Sequence, residues 1–163
     1  MIINNKDVIQ SYILTTARYN YSVPENRILY RMIEAFQFLL NGEKLEGKVK
    51  VSKNLFGDYR ISMLTSSFLS NEDSKNHLEV KKALRSLAKK DFEYEDEKTW
   101  EFITIIDNPI FHKNDLYVSF GVNHRVYEAL LDFSKGFRKY ELKTAFEFNS
   151  SYAMRMYELI SGQ

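Results

Sequence analysis

Apolar positions recur three and four residues apart along several stretches of the chain. Ile28, Leu29, Met32, Ile33, Phe36 and Leu39 share one helical face. Ser22-Val23-Pro24-Glu25 stands just before them: Ser22 can accept from the amide three residues on, Glu25 can reach back to the Ser22 amide, and Pro24 suits a first turn. Asn41-Gly42 closes this helix with residues that tolerate a left-handed backbone. A second helix is predicted over Asn76 to Lys90, with Val80, Ala83, Leu84, Leu87 and Ala88 on one stripe. A third starts after Asn123 on Val126, Leu130, Leu131 and Phe133, and breaks at Gly136. Tyr140 to Phe146 reads as a short helix, and Asn149-Ser150-Ser151 caps a last one with Tyr152, Met156, Leu159 and Ile160 inward. Val8 to Ala17 is mixed and fits a short helix or a strand.

β-Branched and aromatic residues predict strands at Val49 and Val51, Tyr59 to Leu69, Phe92 to Tyr94, Thr99 to Ile106 and Leu116 to Phe120. Ser52 to Phe56 reads as one helical turn, and Ser70 to Asn76 as a polar loop. Asn108-Pro109 and Lys113-Asn114-Asp115 supply turn chemistry, which predicts a hairpin between Thr99–Ile106 and Leu116–Phe120. Helices with a helix running into a two-stranded hairpin give an α+β fold, and that last unit is the core of a winged helix.

The 163 residues suffice for one domain, and 44% hydrophobic with 15% aromatic content supplies its core. There is no cysteine, so disulfides and thiolate metal sites are excluded, in keeping with a reducing, cytoplasmic setting. Met1 to Lys6 lacks the layout of a signal peptide, and the apolar runs Ile28–Leu40 and Ile103–Ile110 are too short or too interrupted by charge to span a bilayer, so no membrane partner is expected.

Net charge is +1, so any nucleic-acid reading rests on where the charges lie. Wound at about 100° per residue, the Asn76–Lys90 helix places Lys75, Lys82, Arg85 and Lys89 opposite its apolar stripe. A helix that reads a DNA groove needs this layout, with one face fixed on the scaffold and the other carrying donors for phosphates and base edges. The same pattern also suits an ordinary solvated lysine face. Arg138 and Lys139 form a flanking basic patch. Against these stand Glu79 beside the ridge and Glu93, Glu95, Asp96 and Glu97 near the hairpin tip. DNA phosphates repel such a tip, so the wing is expected to face protein or solvent.

Signals for catalysis are missing. His77, His112 and His124 have no ligand spacing, the glycines form no phosphate loop, and there is no Gly-x-Ser-x-Gly elbow. No histidine pair accompanies any tyrosine as a metal-dependent nickase would require. A non-enzymatic protein without cofactor or metal is expected, with its aromatics in the core and Trp100 packed back onto the helices.

The order of motifs resembles the iteron-binding plasmid replication initiators of the Rep_3 or RepB type. The residues that carry it are Ser22-x-x-Glu25-x-Arg27-Ile28-Leu29, Ala83-Leu84-x-x-Leu87, the hairpin at Trp100, and Val118-x-Phe120. Most specific is Phe148-x-Ser150-x-Tyr152-Ala153-Met154-Arg155-Met156-Tyr157-Glu158-Leu159, similar to the family's Ser-x-Tyr-x-x-Arg-Leu-Tyr-Glu-Leu run. The resemblance implies two winged-helix domains in tandem, with residues 1–163 as the N-terminal one and the second absent from this chain. It implies contact with double-stranded plasmid origin DNA at iterons, dimerisation that represses the initiator's own gene, and host replication proteins as further partners. The competing reading is a dimerisation module without DNA contact, for which Phe68-Leu69 and Phe111 are candidate apolar contacts.

Overall fold

The computed structural model describes residues 2–40, 49–65, 77–114 and 116–135, the side chains of 14–20, 133 and 134 excepted. Among the described residues, four helices and seven strands follow one another as β1 (Ile2–Ile3), α1 (Lys6–Asn20), α2 (Val23–Leu40), β2 (Val49–Lys53), β3 (Tyr59–Leu64), α3 (His77–Lys89), β4 (Asp91–Glu95), β5 (Trp100–Thr104), β6 (Asp107–His112), β7 (Tyr117–Val122) and α4 (His124–Ser134). The strands form two sheets, in the orders β1-β4-β5 and β2-β3-β7-β6. The fold is α+β, as the sequence predicts.

Local chemistry sets the helix starts. Asn5 caps α1 by accepting from the Val8 amide at 2.9 Å, so the Val8–Ala17 segment is helical. The capping box ahead of α2 forms as expected: the Ser22 amide donates to Glu25 Oε1 at 3.1 Å and the Glu25 amide donates to Ser22 Oγ at 3.3 Å. Ile28, Leu29, Met32, Ile33 and Phe36 then enter the core, while Leu39 stays exposed near the helix end. α1 packs on α4, and α2 packs on α3 and α4.

Strand pairing departs from the sequence expectation. Thr99–Ile106 does not pair with Leu116–Phe120; Trp100–Thr104 folds back on Asp91–Glu95 instead. The cause is the tight turn at Asp96, whose amide donates to the Thr99 carbonyl at 3.0 Å and whose carboxylate accepts from the Lys98 and Thr99 amides. These amide bonds, Thr99's foremost, hold the Asp96 carboxyl below the usual carboxylate range. The Tyr117–Val122 strand pairs with β6 on one side and β3 on the other. Asn108-Pro109 is therefore not an inter-strand turn but lies inside β6, where the register shifts between Asp107 and Ile110 and Asn108 takes a φ of 41°. Among the described residues β6 is an edge strand, so a proline without an amide donor and a local bulge are tolerated there.

Ser52–Phe56 is likewise not a helical turn. β2 runs through Lys53, and Asn54 closes a turn into β3 by accepting from the Phe56 and Asp58 amides, with Gly57 at a φ of 88°. The strand predicted over Tyr59–Leu69 ends at Leu64 within the described residues. The expectations for Asn41-Gly42, Phe68-Leu69, Ser70–Asn76, Gly136, Tyr140–Phe146 and the closing motif lie outside them.

Tyr127 of α4 lies 4.2 Å from Tyr59 and meets Phe36 edge-on at 4.6 Å. Burial, and then a hydrogen bond to Tyr59, push its phenol up to about 12; burial does the same to Tyr21, well above 10. Folding thus favours the protonated phenols. Their contribution is complete below about pH 10 and is lost as pH rises through the folded values. Alkaline titration followed at 295 nm should show these two tyrosines ionising late and together with loss of helical circular dichroism. Ionisation of all eleven tyrosines near pH 10 with the fold intact would contradict this packing.

Candidate nucleic-acid interface

α3 turns Val80, Ala83, Leu84 and Leu87 into the core, against α2, β5 and β6. The opposite face carries Lys82, Arg85 and Lys89, all exposed and, among the described residues, without an ion-pair partner. Leu78, at 61% exposure, continues the same line one turn earlier. From Leu78 to Lys89 this strip spans about 16 Å at 1.5 Å per residue. The ridge is therefore an open row of donors on a helix anchored from behind.

Lys81 on the helix and Lys90 just after it are engaged in structure. Lys81 sits 4.9 Å from the Phe111 ring centroid, at the seam between α3 and β6. Lys90 turns inward to Glu25 Oε2 at 2.9 Å and Ser86 Oγ at 2.6 Å, with its ammonium 5.1 Å from the Tyr21 ring. The Lys90 link was not visible in the sequence, because its partner lies 65 residues upstream. Lys75, Arg138 and Lys139 lie outside the described residues. Glu79 is exposed on the first turn of α3.

The hairpin β4–β5 follows α3 after a single residue and stands where a wing is expected. Its inner side buries Phe92, Tyr94 and Ile103. The start of α4 holds both strands: Arg125 stacks 3.5 Å from the Tyr94 ring centroid on β4 and meets Glu101 of β5 at 3.4 Å, and Asn123, just before α4, donates through Nδ2 to the same carboxylate. Trp100 does not pack onto the described helices, contrary to expectation. Its position in the strand points it to the outer side, where it is 58% exposed and donates its indole N–H to Glu93 at 3.0 Å.

The histidines serve three separate local contacts. His77 packs on Phe111, His112 stacks on Tyr117 at 3.9 Å, and His124 meets the Asp58 carboxylate at 3.0 Å. No group of three or more histidine and carboxylate residues able to hold a metal occurs among the described residues, and no helix there is long and apolar enough to cross a membrane.

Residues 7–161 match the family model described as initiator replication protein, WH1. Among solved structures the chain is similar to the WH1 domain of MSBI1.176, a replication protein isolated from a multiple sclerosis patient. Identity is 12% and the TM-score 0.47, over 77% of this chain and 95% of the other. No curated protein sequence matches. A match over nearly the whole chain assigns the fold and the role at family level: this protein belongs to the WH1 winged-helix family of replication initiators.

Proposed function

We propose that this domain contacts double-stranded DNA at a plasmid origin through the α3 ridge of Lys82, Arg85 and Lys89. The supporting observation is the exposure of three cations without described ion-pair partners, on a helix whose reverse face is buried. Lysine meets phosphate as a point charge, whereas the forked guanidinium of Arg85 suits a guanine edge. Lys75, Arg138 and Lys139 add phosphate contacts. In an initiator, such binding serves recognition of origin iterons, and the same domain contributes to dimerisation and autorepression in a cytoplasmic setting, alongside host replication proteins. The activity is binding, with no chemistry performed on the DNA.

Salt titration of fluorescence anisotropy on origin DNA tests this. Lys82→Ala or Lys89→Ala should weaken binding about equally on cognate and unrelated duplexes, each lowering the salt slope by roughly one unit. Arg85→Ala should cost about 1–3 kcal/mol on the cognate site and less elsewhere. A triple variant with unchanged affinity and salt slope would make the ridge a solvated face and leave dimerisation as the domain's role.

A further inference from the structure

The outer side of the β1-β4-β5 sheet is apolar and acidic at once. The register sets Ile2, Glu93 and Phe102 in one row across the three strands and Glu95 beside Trp100 in the next. Ile2, Phe102 and Trp100 are 61%, 56% and 58% exposed. Three large apolar side chains on one face of so small a sheet are unusual for a surface with nothing to cover it. β5 is also an edge strand, pairing among the described residues with β4 alone. At the hairpin end lies an open groove of about 590 Å³, lined by Ile2, Ile3, Asn4, Glu95, Asp96 and Glu97.

We propose that this wing face docks a basic, apolar segment of a protein partner, its apolar side chains over Trp100, Phe102 and Ile2 and its cations against Glu93, Glu95 and Glu97. Charge complementarity selects this occupant. DNA is repelled by the carboxylates. A second copy docked face to face through a twofold would set one acidic face against another, a like-charge juxtaposition that disfavours it. A lysine- or arginine-bearing segment meets no such cost and covers the aromatic surface. The domain would then use two chemically opposite surfaces, a cationic helix for nucleic acid and an acidic wing for protein.

Trp100 is the chain's one tryptophan, so its fluorescence reports on this face. The probe is a short synthetic peptide alternating lysine and leucine. It should shift Trp100 emission to the blue in a saturable, salt-sensitive manner. A lysine–serine peptide of equal charge should bind more weakly, and a glutamate–leucine peptide should not bind. The double variant Glu93→Lys, Glu95→Lys should weaken the lysine–leucine complex by roughly tenfold or more, as attraction becomes repulsion, while its melting temperature and its affinity for duplex DNA do not fall. Three results would overturn the proposal: no emission shift, equal binding by the charge-reversed variant, or a blue shift that grows with protein concentration without peptide, which would place a second copy on the face.

Discussion

Lys90→Ala should destabilise the domain by about 3–5 kcal/mol, because it strands a carboxylate in the interior. The Glu25 side chain is only 6% exposed and that of Lys90 17%. Glu25 Oε1 is occupied by the Ser22 amide and hydroxyl, while Oε2 receives the Lys90 ammonium at 2.9 Å. Removing the ammonium leaves a charge without its counter-ion beside the start of α2 and frees the last turn of α3 from it. Most of the cost is this orphaned charge and not the strength of the pair. Replacing both residues by neutral ones of similar shape, Glu25→Gln with Lys90→Met, should therefore cost clearly less than the two single changes added together. Urea denaturation of the parent, Lys90→Ala, the two singles Glu25→Gln and Lys90→Met, and their double measures this; a loss below about 1 kcal/mol for Lys90→Ala would mean that water reaches and screens the pair.

Leu87→Ala should cost about 2–5 kcal/mol, and Leu84→Ala a similar amount. Leu87 is fully enclosed where α3 meets α2 and the sheets, and Leu84 lies one turn earlier on the same stripe. Truncation forfeits the transfer energy of the side chain and leaves a void that a helix held between α2 and β6 cannot fill by shifting. A small domain is stable by only about 5–15 kcal/mol, so either change should lower the melting temperature by many degrees. On the opposite face, Lys82→Ala or Lys89→Ala should stay within about 0.5 kcal/mol. This contrast lets a loss of DNA binding by the ridge variants be read as lost contacts and not as unfolding. Equal stability of the leucine and lysine variants would mean that α3 presents another face to the core.

The features that the sequence determined are those set within a few residues of one another. The two faces of α3 follow from a 3.6-residue period that Val80, Ala83, Leu84 and Leu87 satisfy on one side and Lys82, Arg85 and Lys89 on the other. Ser22 and Glu25 lie three apart, so their capping box was readable before any fold was known. Strand partners were decided at longer range. β3 meets β7 across more than 50 residues, and β5 chooses β4 over β7 because the Asp96 turn closes a short hairpin at small entropic cost. Alternation in Trp100–Thr104 was visible, but which side faces the core depends on the sheet it joins. Phe92, Tyr94 and Ile103 fill the inner side of that sheet, and Trp100 and Phe102 are left outward. Lys90 looked like one more cation at the end of a basic helix. Only the packing of α3 on α2 brings the buried Glu25 carboxylate to it and removes it from the surface that the other three cations share.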